Sequence, residues 1–164
     1  MRKWIAGLAV MAAVGVTEAS AWVVQKEASP IDDSQIVVMG VSSTDQIKDT
    51  LGRPARATLK LQCVENRTGF FVEFGGHYMS DLIDGSMTLR VDDKQAFTRS
   101  MHQSTDHSSL GQMGGNAIAT IRKMLGGDLL TARATPVNSD PVTVQFAIDG
   151  IEDEIKPLRK ACNW

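Results

Sequence analysis

The fold is indicated most clearly by residues 135–164, TPVNSDPVTVQFAIDGIEDEIKPLRKACNW, where a strand pattern, a turn, a helix pattern and a cysteine follow one another. Large apolar residues alternate with polar or small ones over residues 142–148, and this period of two predicts a β-strand. Beyond the turn, Ile151, Ile155, Leu158 and Cys162 recur at helical spacing. We therefore predict a C-terminal helix near residues 151–162, with Cys162 on its buried side and a kink or fresh turn at Pro157.

The same period of two dominates the rest of the chain, with turn residues at short intervals. In residues 58–64, Leu59, Leu61 and Cys63 share one face of the predicted strand, which directs Cys63 into the core. With 58–64 and 142–148, the predicted strands number eight, the other six being 22–26, 35–41, 69–74, 86–91, 95–101 and 129–135. Turns are predicted at residues 66–69 and 92–94, and a short helix near 116–126 that is capped by Asn116. The fold class is mostly β (α+β), an antiparallel β-sandwich or curved sheet with these two helices.

The N-terminus resembles a cleavable signal peptide over residues 1–21. Arg2 and Lys3 precede an apolar run at 4–16, and the small residues Ala19-Ser20-Ala21 follow it. A membrane anchor is the alternative, but a membrane-spanning helix needs about 20 apolar residues, so we predict cleavage and no stable membrane insertion. A single domain would then occupy residues 22–164, in the periplasm.

The charge of that domain gives no reason to expect nucleic acid as a partner. The full chain has 17 basic and 19 acidic residues, and removal of Arg2, Lys3 and Glu18 leaves a net charge of −3 with neutral histidines. Such a balance provides no general attraction for phosphate backbones or anionic lipid.

Export also gives the two cysteines an environment in which to pair. Cys63 and Cys162 are the only cysteines, and a strand period and a helix period each direct one of them inward. In an oxidising compartment this predicts a Cys63–Cys162 disulfide, and the alternative is two buried free thiols.

No group of residues in the sequence predicts catalysis, a cofactor or a metal. His77, His102 and His107, with Asp106, lack the i, i+2 or i, i+4 spacing of metal ligands. Asp32 and Asp33 are adjacent, so in an extended segment they point to opposite faces, and we interpret them as satisfying local backbone donors.

A protein-binding surface is the remaining possibility for a site. Phe70 and Phe74 share a strand face while Phe71 points the other way, so exposure of Phe71 together with Tyr78 would form an aromatic patch. Residues 102–115, HQSTDHSSLGQMGG, show no period and are predicted to be a mobile loop. The predicted partner surface consists of Phe71, Tyr78, His102, Asp106 and His107.

Several segments together resemble the VasI/TagO family of type VI secretion-associated proteins. They are SPIDDS at 29–34, TLKLQCVENRT at 58–68, MHQSTD at 101–106, Thr135-Pro136 and the closing residues 141–164 with PLRKACNW. The resemblance implies an exported accessory protein of that system, without catalytic activity, that binds protein partners in the bacterial envelope.

Two other functions are compatible with the sequence. One is a general periplasmic ligand-binding or inhibitor module unconnected to secretion, with residues 102–115 as its contact surface. The other is a hydrolase that uses His102, Asp106 or His107.

Overall fold

A computed structural model describes residues 21–79 and 84–164. The predicted signal peptide, apart from Ala21, lies outside the described residues. The described chain is 45% strand and 14% helix, which confirms the mostly β class. Its elements are β1 (Val23–Ala28), β2 (Gln35–Ser42), β3 (Ile47–Lys48), β4 (Pro54–Ala55), β5 (Thr58–Val64), β6 (Arg67–Glu73), β7 (Asp84–Val91), β8 (Phe97–Gln103), β9 (Ser109–Met113), α1 (Gly115–Met124), β10 (Leu129–Ala134), β11 (Val142–Ala147), α2 (Ile151–Glu154) and α3 (Lys156–Ala161).

Nine strands form one open antiparallel sheet in the order β1-β2-β5-β6-β9-β8-β7-β10-β11, and β3 pairs with β4 separately. The large sheet is strongly curved. Although β2 and β11 lie near opposite ends of the strand order, the backbone N–H of Thr44, just after β2, donates to the carbonyl of Gln145 in β11 at 2.8 Å. Of the two predicted architectures, the structure is therefore the curved sheet.

The core lies on the inner, concave face of this sheet. Alternation directs Leu59, Leu61 and Cys63 of β5 inward, where they are fully buried. Phe70 of β6 and Phe74, just after that strand, are fully buried as well. Helix α1 packs against β6 and β9, and α3 packs against β2 and β5. Because the helices cover the inner face, most of the outer face of the central strands is half-buried or exposed, apart from glycines such as Gly69 and Gly111 that the Phe71 ring covers.

All eight predicted strands are present, but the prediction for residues 102–115 is wrong at both ends. β8 extends to Gln103, and Ser109–Met113 forms the central strand β9. The signal was weak because β9 directs Leu110 and Gln112 inward, with only glycine between them, so apolar alternation is absent.

The predicted turns and helix ends need smaller corrections. The β5–β6 turn is formed by Glu65 and Asn66, both with positive φ, rather than by residues 66–69. Helix α1 begins after Gly114, which has no side-chain cap, so Asn116 lies inside the helix. The C-terminal helix is divided at Ile155, and Pro157 lies in the first turn of α3, where its missing N–H costs no helical hydrogen bond. This confirms the predicted break.

Candidate functional site

A row of directly opposed residues crosses six strands on the outer face of the sheet. Phe71 lies opposite Lys60 on one side and Gly111 on the other, and Gly111 in turn lies opposite His102. Directly opposed residues share a face of an antiparallel sheet. The outer row therefore consists of Val23, Gly40, Lys60, Phe71, Gly111 and His102.

The ring of Phe71 is held against the backbone of its neighbours. A Cβ at Gly111 would lie 2.1 Å from Phe71 Cδ1, and a Cβ at Gly69 would lie 2.6 Å from Phe71 Cε2. Lys60 Nζ lies 5.3 Å from the centre of the same ring. Glycine at both positions thus lets the ring cover the sheet surface, and Lys60 adds a cation–π contact.

An open groove runs along this row. One part, of about 470 Å³, lies between Lys60, Phe71 and the loop that carries Asp106. The other part, of about 390 Å³, lies over Gly40 and is lined mainly by apolar groups that include Val23. Both parts are lined by Thr58 and Lys60, so they form one surface, which we call the outer groove.

The loop beside the groove is fixed by short-range hydrogen bonds. Two hydrogen bonds join Ser104 and Ser109. Ser104 N donates to Ser109 O at 3.0 Å, and Ser109 N donates to Ser104 Oγ at 3.1 Å. Ser104 Oγ donates to Asp106 Oδ1, and so does Ser108 N at 3.2 Å. These hydrogen bonds lower the pKa of Asp106 to about 2, and the one from Ser104 has the largest effect, followed by the one from the Ser108 backbone. Asp106 is therefore an anion throughout the physiological range.

Tyr78 and His107 form a second aromatic contact next to this loop. Their ring centroids are 4.8 Å apart, and Met79 N donates to His107 O at 3.0 Å, so the chain segments that carry them are joined. Tyr78 is 44% exposed, and His107 has a left-handed φ of 59°. The buried Nδ1 atom of His107 has no hydrogen-bond partner among the described residues.

The structure thus brings together the predicted partner residues in two groups. Phe71 and Asp106 line the outer groove, and His102 lies two strands from Phe71 in the outer row, beyond Gly111. Tyr78 and His107 stack on each other at the end of the same loop. The pattern of the sequence indicated Phe71 as outward-facing, but not the contribution of Lys60 or Gly111.

The residues considered for metal or acid-base chemistry have local structural partners. His77 is buried, with Nε2 2.7 Å from the carbonyl oxygen of Lys48. Asp32 accepts hydrogen bonds from both Ser34 N and Ser34 Oγ, as the interpretation of this segment expected. Over residues 21–79 and 84–164, no three His, Cys, Asp or Glu residues are grouped so that they could hold a metal ion.

The two cysteines are joined, which confirms the predicted disulfide, and the bond is part of a larger clasp. Next to it, Asn163 Nδ2 donates to Asn66 Oδ1 at 3.1 Å, and Trp164 Nε1 donates to Thr68 Oγ1 at 2.8 Å. The closing residues 162–164 therefore meet residues 63–68 at three points.

The clasp joins residues 63–68 to residues 162–164, and both segments lie in the part of the chain that matches a known protein family. The chain matches the family described as Type VI secretion system VasI, EvfG, VC_A0118 over residues 9–164. It is a member of the VasI family.

Membership makes this a type VI secretion-associated protein. The VasI family is an accessory family and not a known enzyme family. Comparison with curated proteins gave no match, and comparison with solved structures gave none either. Among residues 21–79 and 84–164, no helix is long and apolar enough to cross a membrane.

Proposed function

We propose that this protein is an exported, non-catalytic accessory protein of type VI secretion that acts in the periplasm by binding a protein partner. The observation that carries the proposal is the match to the VasI family over residues 9–164. The outer groove is the surface that we assign to the partner.

Export is supported by the N-terminal sequence and by the disulfide. The charged, apolar and small-residue regions of residues 1–21 have the order of a signal peptide. Cleavage after Ala21 would leave β1 intact, and the new N-terminal residue would be Trp22, which is buried in the core. The Cys63–Cys162 bond is typical of an oxidising compartment.

A binding role is supported by the composition of the outer groove. Phe71 supplies a ring fixed in place, and the exposed Val23 supplies further apolar area. Lys60 and Asp106 add one charge of each sign beside them. Interface centres commonly combine a rigid aromatic anchor with polar groups that fix the orientation of the partner. No helix among residues 21–79 and 84–164 lines this groove, which supports its assignment to a partner.

A non-catalytic role is supported by the state of the residues that a hydrolase would use. Asp106 has a pKa of about 2 and two hydrogen-bond donors on one oxygen, which make it a poor base. The Ser104 hydroxyl donates to that carboxylate, whereas an activated serine would donate to a base such as a histidine ring.

The decisive experiment is a secretion assay in the host with the chromosomal gene deleted or replaced. We expect deletion to reduce sheath-dependent secretion, and Lys60→Glu, at the centre of the outer groove, to reduce it to a similar extent. Lys26→Glu is the matched control, because Lys26 is an exposed lysine on β1 that does not line the groove. Non-reducing gels would establish that each variant is present in its oxidised form.

Wild-type secretion after deletion would contradict the proposal and favour a ligand-binding module unconnected to secretion. Loss of function in Lys26→Glu as large as in Lys60→Glu would contradict the assignment of the groove. Intact-mass measurement of the exported protein tests the remaining part. We expect a chain that starts at Trp22 and is two hydrogens lighter than its reduced form.

A further inference from the structure

A second surface, on the helix side of the molecule, is strongly basic. Two aromatic rings there each have two cations over them. The ring of Trp164 has Arg122 at 5.7 Å and Arg159 at 5.2 Å from its centre. The ring of Phe97 has Lys123 at 5.0 Å and Arg99 at 5.1 Å. These four cations form what we call the basic strip: Arg99, Arg122, Lys123 and Arg159.

The strip is continuous because α1 joins its two halves. Arg122 and Lys123 are neighbours in the last turn of α1, both are exposed, and each reaches a different ring. The helix itself is fixed to the sheet, since Thr120 Oγ1 donates to Gln112 Oε1 at 2.7 Å inside the core. The cations therefore occupy a defined arrangement on a rigid element.

The cations of the strip lack acidic ion-pair partners among the side chains that the structure describes. None of the four forms a salt bridge with an aspartate or glutamate of the described chain, whereas Arg53, Arg90 and Lys156 do so elsewhere. One carboxylate lies just beyond the C-terminal end of α1, since a Cβ at Gly126 would be 3.5 Å from Glu152 Oε1. In a chain with a formal net charge of −2, such a cluster is a local excess of positive charge.

Local structure accounts for part of this arrangement. The C-terminal end of a helix favours cations such as Arg122 and Lys123, and aromatic faces attract them. Neither effect requires cations to gather from β8, α1 and α3 onto one surface. Two of the arginines use part of their N–H edge inside the chain, since Arg159 Nε donates to the backbone oxygen of Trp164 at 3.3 Å and Arg99 Nη1 to that of Thr98 at 3.4 Å. The guanidinium group of the exposed Arg122, over the Trp164 ring, can present its N–H edge to solvent, where it fits a carboxylate in a bidentate manner.

We propose that the basic strip is the docking surface for an acidic segment of a protein partner. The proposal rests on the proposed function only in taking the partner to be a protein. Interfaces between proteins are enriched in arginine and aromatic residues, which matches the strip.

Two other anionic partners fit less well. Membrane binding uses apolar side chains that enter the lipid, but the exposed large apolar residues of the described chain are Val23, Ile31, Leu51 and Tyr78, which are outside the strip. Single-stranded nucleic acid stacks its bases on exposed rings, whereas Trp164 and Phe97 are half-buried and carry cations over them.

The test measures binding of a fluorescein-labelled polyglutamate peptide to the purified, oxidised protein by fluorescence anisotropy. Arg122→Glu combined with Lys123→Glu should weaken binding at least about tenfold, or about 1.4 kcal/mol. The matched control is Lys26→Glu with Lys48→Glu, which changes the charge equally at two exposed lysines outside the strip and should stay within about twofold of wild type. Arg99→Glu, on β8, tests the strip independently of the stability of α1.

Equal weakening in the control pair would overturn the proposal, because it would mean that only net charge matters. Phosphatidylglycerol vesicles or a single-stranded oligonucleotide that bound as tightly as polyglutamate, with the same dependence on Arg122 and Lys123, would overturn it in favour of a lipid or nucleic acid partner. Because this assay uses only the purified protein, its failure leaves the secretion result untouched. A negative secretion result likewise leaves the binding result untouched.

Discussion

Replacement of both cysteines by alanine should lower the free energy of unfolding substantially while the fold persists. The bond joins residues 99 positions apart, so it closes a loop of about 100 residues in the unfolded chain. The chain-entropy estimate for such a loop is about 4.7 kcal/mol at 25 °C, and measured values are often smaller, so we expect a loss of about 3–5 kcal/mol. Alanine is preferred to serine because Cys63 is fully buried, and serine would bury a hydroxyl group there.

The native state of this double variant should resemble that of the wild type. The hydrogen bonds of Asn163 with Asn66 and of Trp164 with Thr68 do not depend on the sulfur atoms. Most of the loss should therefore come from greater freedom of the unfolded chain rather than from altered native packing. At about 2–4 °C per kcal/mol for a chain near this size, the melting temperature should fall on the order of 10 °C.

Urea unfolding followed by far-UV circular dichroism measures this difference. The slope of the unfolding free energy against urea concentration should increase as well, because an unfolded chain without the cross-link exposes more surface. Unfolding free energies rather than transition midpoints are therefore compared. Wild-type protein treated with dithiothreitol should approach the double variant, and the double variant should not respond to it. A double variant that unfolds within about 1 kcal/mol of the oxidised wild type would refute the loop-entropy reasoning.

Two further predictions concern the outer face. Gly111→Ala should destabilise the protein by about 1–3 kcal/mol or more in the same urea assay, because the new Cβ would lie 2.5 Å from the carbonyl oxygen of Phe70. Gly115→Ala is the control. This position has open space at the start of α1, so the substitution should be neutral or stabilising. A Gly111→Ala protein as stable as Gly115→Ala would contradict the tight approach of these strands. The Asp106 carboxyl should titrate near pH 2 by NMR, and Ser104→Ala should raise that midpoint. Because its pKa is depressed in the folded state, its stabilising effect should be complete above about pH 4 and lost as the pH falls through 2, and a midpoint at its usual 3.8 would contradict the hydrogen-bonded loop.

Most of the fold could be predicted because its strands alternate cleanly. β5 and β11 place every second residue in the core, and the helical spacing from Ile151 onward is equally regular. β9 could not be predicted, because a strand with Gly111 at its centre and Gln112 facing inward shows no apolar period. Gln112 is accommodated there by its hydrogen bonds to Thr120 and Ser100, which depend on tertiary structure.

The surfaces could be predicted only in part. A period of two was sufficient to direct Phe71 outward, but its position over Gly111 depends on the pairing of β6 with β9, a strand that the pattern did not reveal. The basic strip was not predicted at all. Arg99 and Arg122 lie on different elements, and only the folded chain brings their neighbouring rings to one side of α1.

The pairing of Cys63 with Cys162 also constrains the order of events when the chain is made. Cys63 must remain a thiol until Cys162, 99 positions later, is available, so in a chain exported as we propose the bond can form only when translocation is nearly finished. With two cysteines in the sequence there is one possible intramolecular connectivity. Under the proposed export, oxidative folding of this chain should therefore require a thiol oxidase but no disulfide isomerase, and a host that lacks only the isomerase should still accumulate the oxidised protein.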